Sequence, residues 1–111
     1  MEAKSVIHLV GTTCPPEMEE KFDAWYSDRH VPDLLKFKGV KKVTRYKRLY
    51  PSEEHPKFLT IYEFESQQDF EAYFSSPERT AALEDWENIQ KELSASATMR
   101  VQYEVIKTWQ R

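Results

Sequence analysis

Two histidines are the side chains in this sequence best suited to proton chemistry. His30 follows Arg29 at the end of a predicted helix, and His8 lies among aliphatic residues in a predicted strand. An imidazole titrates near neutral pH, so either ring can serve as a general acid or base. Each also has a structural interpretation. His30 would cap free helix carbonyls, and His8 would be a buried ring satisfied by a hydrogen bond. His55 lies in a polar loop and is predicted to be on the surface.

Three tyrosines and two further side chains are candidates for contacts with a ligand. The tyrosines lie in predicted strands, where a phenol can donate to a developing oxyanion or fill the core with its polar tip satisfied. Arg100 belongs to the polar side of the last predicted strand and would face solvent or a wet interior. The candidates are Trp25, Tyr46, Tyr62, Tyr103 and Arg100.

Several classes of site are disfavoured by residue types and spacing. The three histidines are far apart and Cys14 has no neighbouring ligand, so no metal site is predicted. Gly11 and Gly39 are the only glycines, which leaves no phosphate-binding loop and no predicted cofactor. The basic stretch Lys36–Arg48 alternates between strand faces, as in a solvated edge strand, and the net charge is −3. Nucleic acid is therefore not an expected partner.

Hydrophobic periodicity predicts the elements that position these residues. The first helix is expected from Glu17 to about His30, because Pro32 disfavours helical geometry in the residue before it. A second helix begins after Ser66 and is broken near Ser75–Pro77. The predicted strands are Ser5–Gly11, Val40–Tyr50, Phe58–Glu65 and Met99–Trp109, with loops at 51–56 and 94–98.

The order β-α-β-β-α-β predicts one α+β domain spanning residues 1–111. Its fold would be ferredoxin-like, with a four-stranded antiparallel sheet and helices on one face. The other face would be bare, and a second copy packed against it would cover the apolar side chains. We therefore expect a homodimer. The single cysteine, the early acidic residue and the absence of a long apolar run favour a cytoplasmic protein without a membrane partner.

The stretch Trp25–Tyr46 (WYSDRHVPDLLKFKGVKKVTRY) is the most distinctive part of the chain. It resembles the EthD-like branch of the dimeric α+β barrel superfamily, in which a helix ends in Arg-His-x-Pro and a Gly-Val enters a strand. The resemblance implies two sheets packed into a barrel. It also implies small cofactor-independent isomerases, cyclases or oxygenases as relatives, alongside proteins without an assigned activity. His30 would then face a pocket.

Two functions follow as hypotheses. The first is binding of a small apolar organic molecule, with cofactor-free isomerisation, cyclisation or oxygenation by proton transfer. His30 would be the base, His8 and Tyr62 would assist, and the ligand would contact Trp25, Tyr46, Tyr103 and Arg100. The second is a non-catalytic ligand-binding or stress-associated module of the same fold. Two polar groups converging on one pocket would favour the first.

Overall fold

A four-stranded antiparallel sheet with the strand order β2-β3-β1-β4 forms the centre of the computed structural model, which describes residues 4–111. The predicted ferredoxin-like α+β fold is confirmed. The strands are β1 Val6–Thr13, β2 Val40–Lys47, β3 Phe58–Phe64 and β4 Ser96–Glu104.

The helices occupy one side of the sheet. The first helical stretch contains a 3-10 turn, two short α-helices and a π turn. The helices are α1 Glu19–Trp25, α2 Val31–Leu34, α3 Gln67–Phe74 and α4 Pro77–Leu93, with the 3-10 turn at Pro16–Met18 and the π turn at Tyr26–His30. Ser66 and Ser76 cap α3 and α4 through their side chains, which confirms the predicted break between them.

The first helical stretch continues past His30, so the prediction that it ends there is wrong. Within the π turn the N–H of Val31 donates to the carbonyl of Tyr26, five residues back. This five-residue spacing shifts the backbone hydrogen bonds just before Pro32, which has no backbone N–H to donate. The helix therefore accommodates the proline and runs on to Leu34.

Two strand boundaries also differ from the prediction. β2 stops at Lys47 because its partner strand begins opposite it at Phe58. β4 begins at Ser96, inside the stretch predicted as a loop, since Ser94 ends α4 in a left-handed conformation with φ of 52°. It stops at Glu104, where β1 begins, so residues 105–111 are not part of the strand.

Alternation along β1 and β3 directs their even-numbered side chains toward the helices. These side chains are buried: Val6, His8, Val10, Thr12, Phe58, Thr60, Tyr62 and Phe64. In the register of the sheet, His8 lies opposite Tyr62 on one side and Gln102 on the other. The pairing therefore brings three polar side chains together on the helix-facing side of the sheet.

The other face of the sheet has no layer of helices against it among residues 4–111, and it is mainly apolar apart from the paired Lys42 and Glu63. Its side chains alternate with the buried ones and remain partly exposed: Ile7, Leu9, Leu59, Ile61, Met99 and Val101. We call this surface the open face. Within the described residues, no helix is long and apolar enough to span a bilayer.

Candidate functional site

A narrow cavity lies between the helix-facing side of the sheet and the helices. Its volume, including the mouth that opens to solvent, is about 410 Å³, of which about 30 Å³ is wide enough to take the centre of a water molecule. That is room for about two waters, since one needs roughly 10–15 Å³ by this measure. The polar lining residues are His8, Thr12, Tyr26, His30, Tyr62, Tyr73, Arg79 and Arg100.

His8 is held in one tautomer by the neighbouring strand. Its residue exposure is 3%, and its Nδ1 lies 2.9 Å from Nε2 of Gln102. An amide NH₂ group only donates, so Nδ1 accepts and the ring proton is on Nε2. Burial lowers the pKa of His8 to about 4, and the nearby charges of Arg79 and Arg100 contribute to that decrease. At neutral pH this ring is a neutral hydrogen-bond donor.

His30 is buried among aromatic rings, with 7% of the residue exposed. Its ring stacks on Trp25 at 4.8 Å between centroids and meets Tyr26 edge-on at 4.7 Å. Because the helix continues past this residue, His30 has no free helix end to cap. Its Nδ1 is buried and has no hydrogen-bond partner among the described residues.

Burial also lowers the pKa of His30 to about 4, although the carboxylates of Asp33 and Asp85 raise it in part. The ring is therefore neutral at pH 7 rather than half-protonated, in contrast to the expectation of a base tuned to neutral pH. A neutral imidazole can still accept a proton. It becomes a stronger base only when negative charge develops beside it.

Two buried phenols belong to the same cavity lining as the histidines. The hydroxyls of Tyr26 and Tyr62 are 2.7 Å apart, and the guanidinium of Arg45 lies 4.6 Å from the centre of the Tyr26 ring. Burial raises the pKa of Tyr26 and raises that of Tyr62 well above its ordinary value. Burial likewise raises the pKa of Tyr73, so this phenol also stays protonated at neutral pH. All three phenols are therefore protonated and do not act as bases at neutral pH, and in the Tyr26–Tyr62 pair one hydroxyl donates while the other accepts.

The family comparison covers most of the chain. Residues 5–100 match the family described as "Domain of unknown function (DUF4286)". The chain belongs to this family. The comparison with curated proteins finds no match.

Solved structures with the fold of this DUF4286 chain are distant in sequence. An ethyl tert-butyl ether d (EthD) family protein from Bacillus halodurans C-125 is 14% identical, with a TM-score of 0.64 over 93% of this chain and 99% of the other. A single-residue mutant of SnoaB, a cofactor-independent oxygenase from Streptomyces nogalater, is 13% identical, with a TM-score of 0.66 over 96% and 97%.

A third structure is described as a dimeric protein of unknown function and ferredoxin-like fold from Bacteroides fragilis NCTC 9343. It is 22% identical, with a TM-score of 0.59 over 95% of this chain and 100% of the other. At these identities the likeness concerns the fold. The predicted resemblance to EthD-like structures is confirmed at that level.

The structure brings together some of the residues singled out in the sequence and separates others. His8, His30, Tyr62 and Arg100 all line the cavity of the DUF4286 chain. Trp25 lies outside the lining and stacks on His30. The remaining two candidates, Tyr46 and Tyr103, are 51% and 57% exposed on the open face, so neither reaches this cavity.

Sequence reasoning missed four polar lining residues and one supporting residue. The only sequence signal of Tyr26 is that it follows Trp25 as an aromatic pair at the end of α1. The only signal of Tyr73 is that it belongs to the apolar side of α3. Thr12, Arg79 and the supporting Gln102 carry no local signal, because their role depends on which strand or helix lies opposite. Among residues 4–111, no three His, Cys, Asp or Glu side chains gather closely enough to hold a metal ion.

The Tyr26–Tyr62 pair makes a stability prediction. Replacing Tyr62 by Phe leaves the Tyr26 hydroxyl buried without its partner, which we expect to cost about 1–3 kcal/mol of unfolding free energy. The double variant Tyr26→Phe/Tyr62→Phe removes both hydroxyls and should cost no more than the worse single variant. Urea unfolding of wild type, Tyr26→Phe, Tyr62→Phe and the double variant gives the coupling free energy between the two hydroxyls. Additive losses would contradict a direct hydrogen bond between the two phenols.

Proposed function

We propose that this chain binds a small, mainly apolar organic molecule in the cavity and transfers a proton on it without a cofactor. The observation that carries the proposal is the Nδ1 atom of His30. A buried nitrogen without a partner costs about 1–3 kcal/mol, so an imidazole is a poor choice for a purely structural position. A ligand that offers a proton or a hydrogen bond to Nδ1 would recover that cost.

The roles of the side chains follow from their protonation states. His30, neutral and unpartnered at Nδ1, is the base that removes a proton from a carbon next to a carbonyl or phenol. The Nε2–H of His8 and the hydroxyl of Tyr62 are the donors for the oxyanion that forms. The developing negative charge raises the pKa of His30 during the transfer, because an opposite charge favours the imidazolium. Isomerisation, cyclisation and oxygenation of an activated carbon all begin with this step.

The comparison supports this reaction class through the fold. SnoaB is described as a cofactor-independent oxygenase, so a domain of this architecture can house such chemistry. Fold alone does not fix a reaction. The proposal therefore depends on the polar groups that converge in the cavity.

A non-catalytic binding module is the second candidate, and one observation favours it. The Tyr62 hydroxyl is already bonded to Tyr26, and His8 is already bonded to Gln102. In the second pair the His8 ring accepts, so only the Tyr62 hydroxyl is an engaged donor, and such a group would shape a binding pocket as well as it would an active site. Under this alternative a ligand binds, but its exchangeable C–H protons do not exchange with D₂O faster than in buffer.

The test of the proposed function is a screen of small cyclic ketones, phenols and oxo acids by ligand-observed NMR. We expect at least one class to bind and to exchange its activated C–H in D₂O in the presence of protein. Binding without exchange would support the second candidate. No binding by any class would contradict both.

We also propose that two copies of the chain pair through the open face. At its centre Leu9 lies between Ile61 and Val101 in neighbouring strands, a contiguous apolar surface of the kind that proteins seldom leave in water. The dimeric Bacteroides fragilis protein has the same fold, which supports this arrangement. Light scattering should give twice the chain mass of 13.2 kDa.

Leu9→Lys should convert that dimer to a monomer, because it buries an ammonium against Ile61 and Val101 of its own sheet and against the other copy. Ala72→Lys, on the exposed side of α3, adds the same charge away from the open face and should remain dimeric. A wild-type chain that is monomeric at all concentrations, or a Leu9→Lys dimer, would contradict the proposal.

A further inference from the structure

We infer that the ligand of this cavity carries a carboxylate, which Arg79 and Arg100 bind at the mouth. The inference rests on the proposed function and specifies its substrate class. Both arginines line the same cavity as His8 and His30. They come from different elements, α4 and the edge strand β4.

Neither arginine has a carboxylate partner among residues 4–111. By contrast, Arg29 pairs with Asp85 at 3.1 Å, and Arg45 pairs with Asp23. Arg79 donates to the carbonyl of Phe74 and lies 4.1 Å from the centre of its ring, which fixes the side chain without neutralising it. The cavity lining therefore carries two positive charges that form no ion pair with an acidic side chain among the described residues.

Two like charges in the lining of one cavity repel each other and favour an anion between them. A carboxylate suits this place because its two oxygens match the planar fork of a guanidinium. A cationic ligand would meet repulsion from both arginines. A neutral ligand would leave them uncompensated.

The width of the cavity indicates how such an acid is oriented. The part of the cavity that is wide enough for a water molecule, about 30 Å³, takes a hydroxyl or carbonyl group but not a ring. Thr12 and His30 both line the cavity, and their Oγ1 and Nδ1 atoms have no hydrogen-bond partner among the described residues. The ligand class is therefore a small oxo- or hydroxy-carboxylic acid, with the carboxylate at the mouth and the second oxygen inside.

The test compares each acid with its amide, which has nearly the same shape but carries no charge. The probes are acetoacetate with acetoacetamide, benzoate with benzamide, and salicylate with salicylamide, titrated by calorimetry at pH 7 and low salt. The proteins are wild type, Arg100→Gln, Arg79→Gln and, as a matched charge control, Lys91→Gln in the exposed last turn of α4. Thermal melts check that each variant is folded.

We expect at least one acid to bind tenfold or more tightly than its amide, and each arginine variant to lose about tenfold for the acid and less than twofold for the amide. The control should bind like wild type. If amides bind as tightly as acids, or if the arginine variants keep full affinity for the acid, the inference is wrong while the proposed function stands. If none of the six probes binds to wild type, the carboxylate inference is wrong, and the screen of ketones and phenols decides the proposed function.

Discussion

His30→Phe is expected to weaken ligand binding or turnover at least tenfold while keeping or raising the melting temperature. Phenylalanine retains a ring stacked on Trp25, and it removes a buried nitrogen that has no partner among the described residues. A residue selected for packing alone would show no functional loss. A tenfold loss corresponds to about 1.4 kcal/mol of binding or transition-state stabilisation.

His30→Ala is less informative, because it would change both ligand binding and stability. The imidazole is buried against Trp25 and Trp86, so truncation would leave a void and lower stability by about 2–4 kcal/mol. His55→Phe, in the exposed β2–β3 loop, is the matched control and should change neither property. A His30→Phe protein that binds ligand as wild type does would remove His30 from the site.

Acidification from pH 6.5 to pH 4 is expected to destabilise the fold by roughly 5 kcal/mol in total. The pKa of each buried histidine falls from 6.5 to about 4 on folding. Between these values the unfolded chain binds more protons than the native one, so stability decreases as pH falls. Each histidine contributes roughly 2.5 kcal/mol, because the slope reaches about 1.4 kcal/mol per pH unit only between the two pKa values. The free energy of unfolding of a small domain is only about 5–15 kcal/mol, so acid unfolding should begin at a pH well above that at which carboxylates protonate.

Urea unfolding at half-unit pH steps measures this slope. His30→Phe has one buried histidine fewer and should lose about half of the destabilisation between pH 6.5 and pH 4. His55→Phe should retain the wild-type slope, because that ring is exposed in both states. A wild-type stability that is flat over this range would contradict the burial of neutral His8 and His30.

The fold was predictable because its determinants are local. Period-two alternation in β1 and β3, the serine caps of α3 and α4, and the hairpin between β2 and β3 are each visible within about ten residues. The exception is the stretch around Pro32. The general rule for residues before proline predicts that the helix ends there. Instead, the π turn changes the hydrogen-bond spacing and the helix continues, and no local sequence pattern indicates this turn.

Of the residues proposed from the sequence, His8, His30, Tyr62 and Arg100 line the cavity, and alternation in the last predicted strand already separated Arg100 from Tyr103. Tyr103 has the same parity as Met99 and Val101, the apolar side of β4, so it belongs to the open face rather than to the cavity. Arg100 has the opposite parity and reaches the mouth. The pairing of Tyr26 with Tyr62 spans 36 residues and depends on how the first helical stretch lies on the sheet. No spacing in the sequence carries that information.

The most direct test of the cavity as the binding site is the side-chain ¹⁵N spectrum of the three histidines during titration with a ligand from the screen at pH 7. His8 and His30 lie in the cavity, and His55 lies in the exposed loop. We expect the ring nitrogens of His30, and to a lesser degree of His8, to shift in proportion to the bound fraction while those of His55 stay fixed. A ligand that binds and leaves both cavity histidines unchanged would contradict the proposed site.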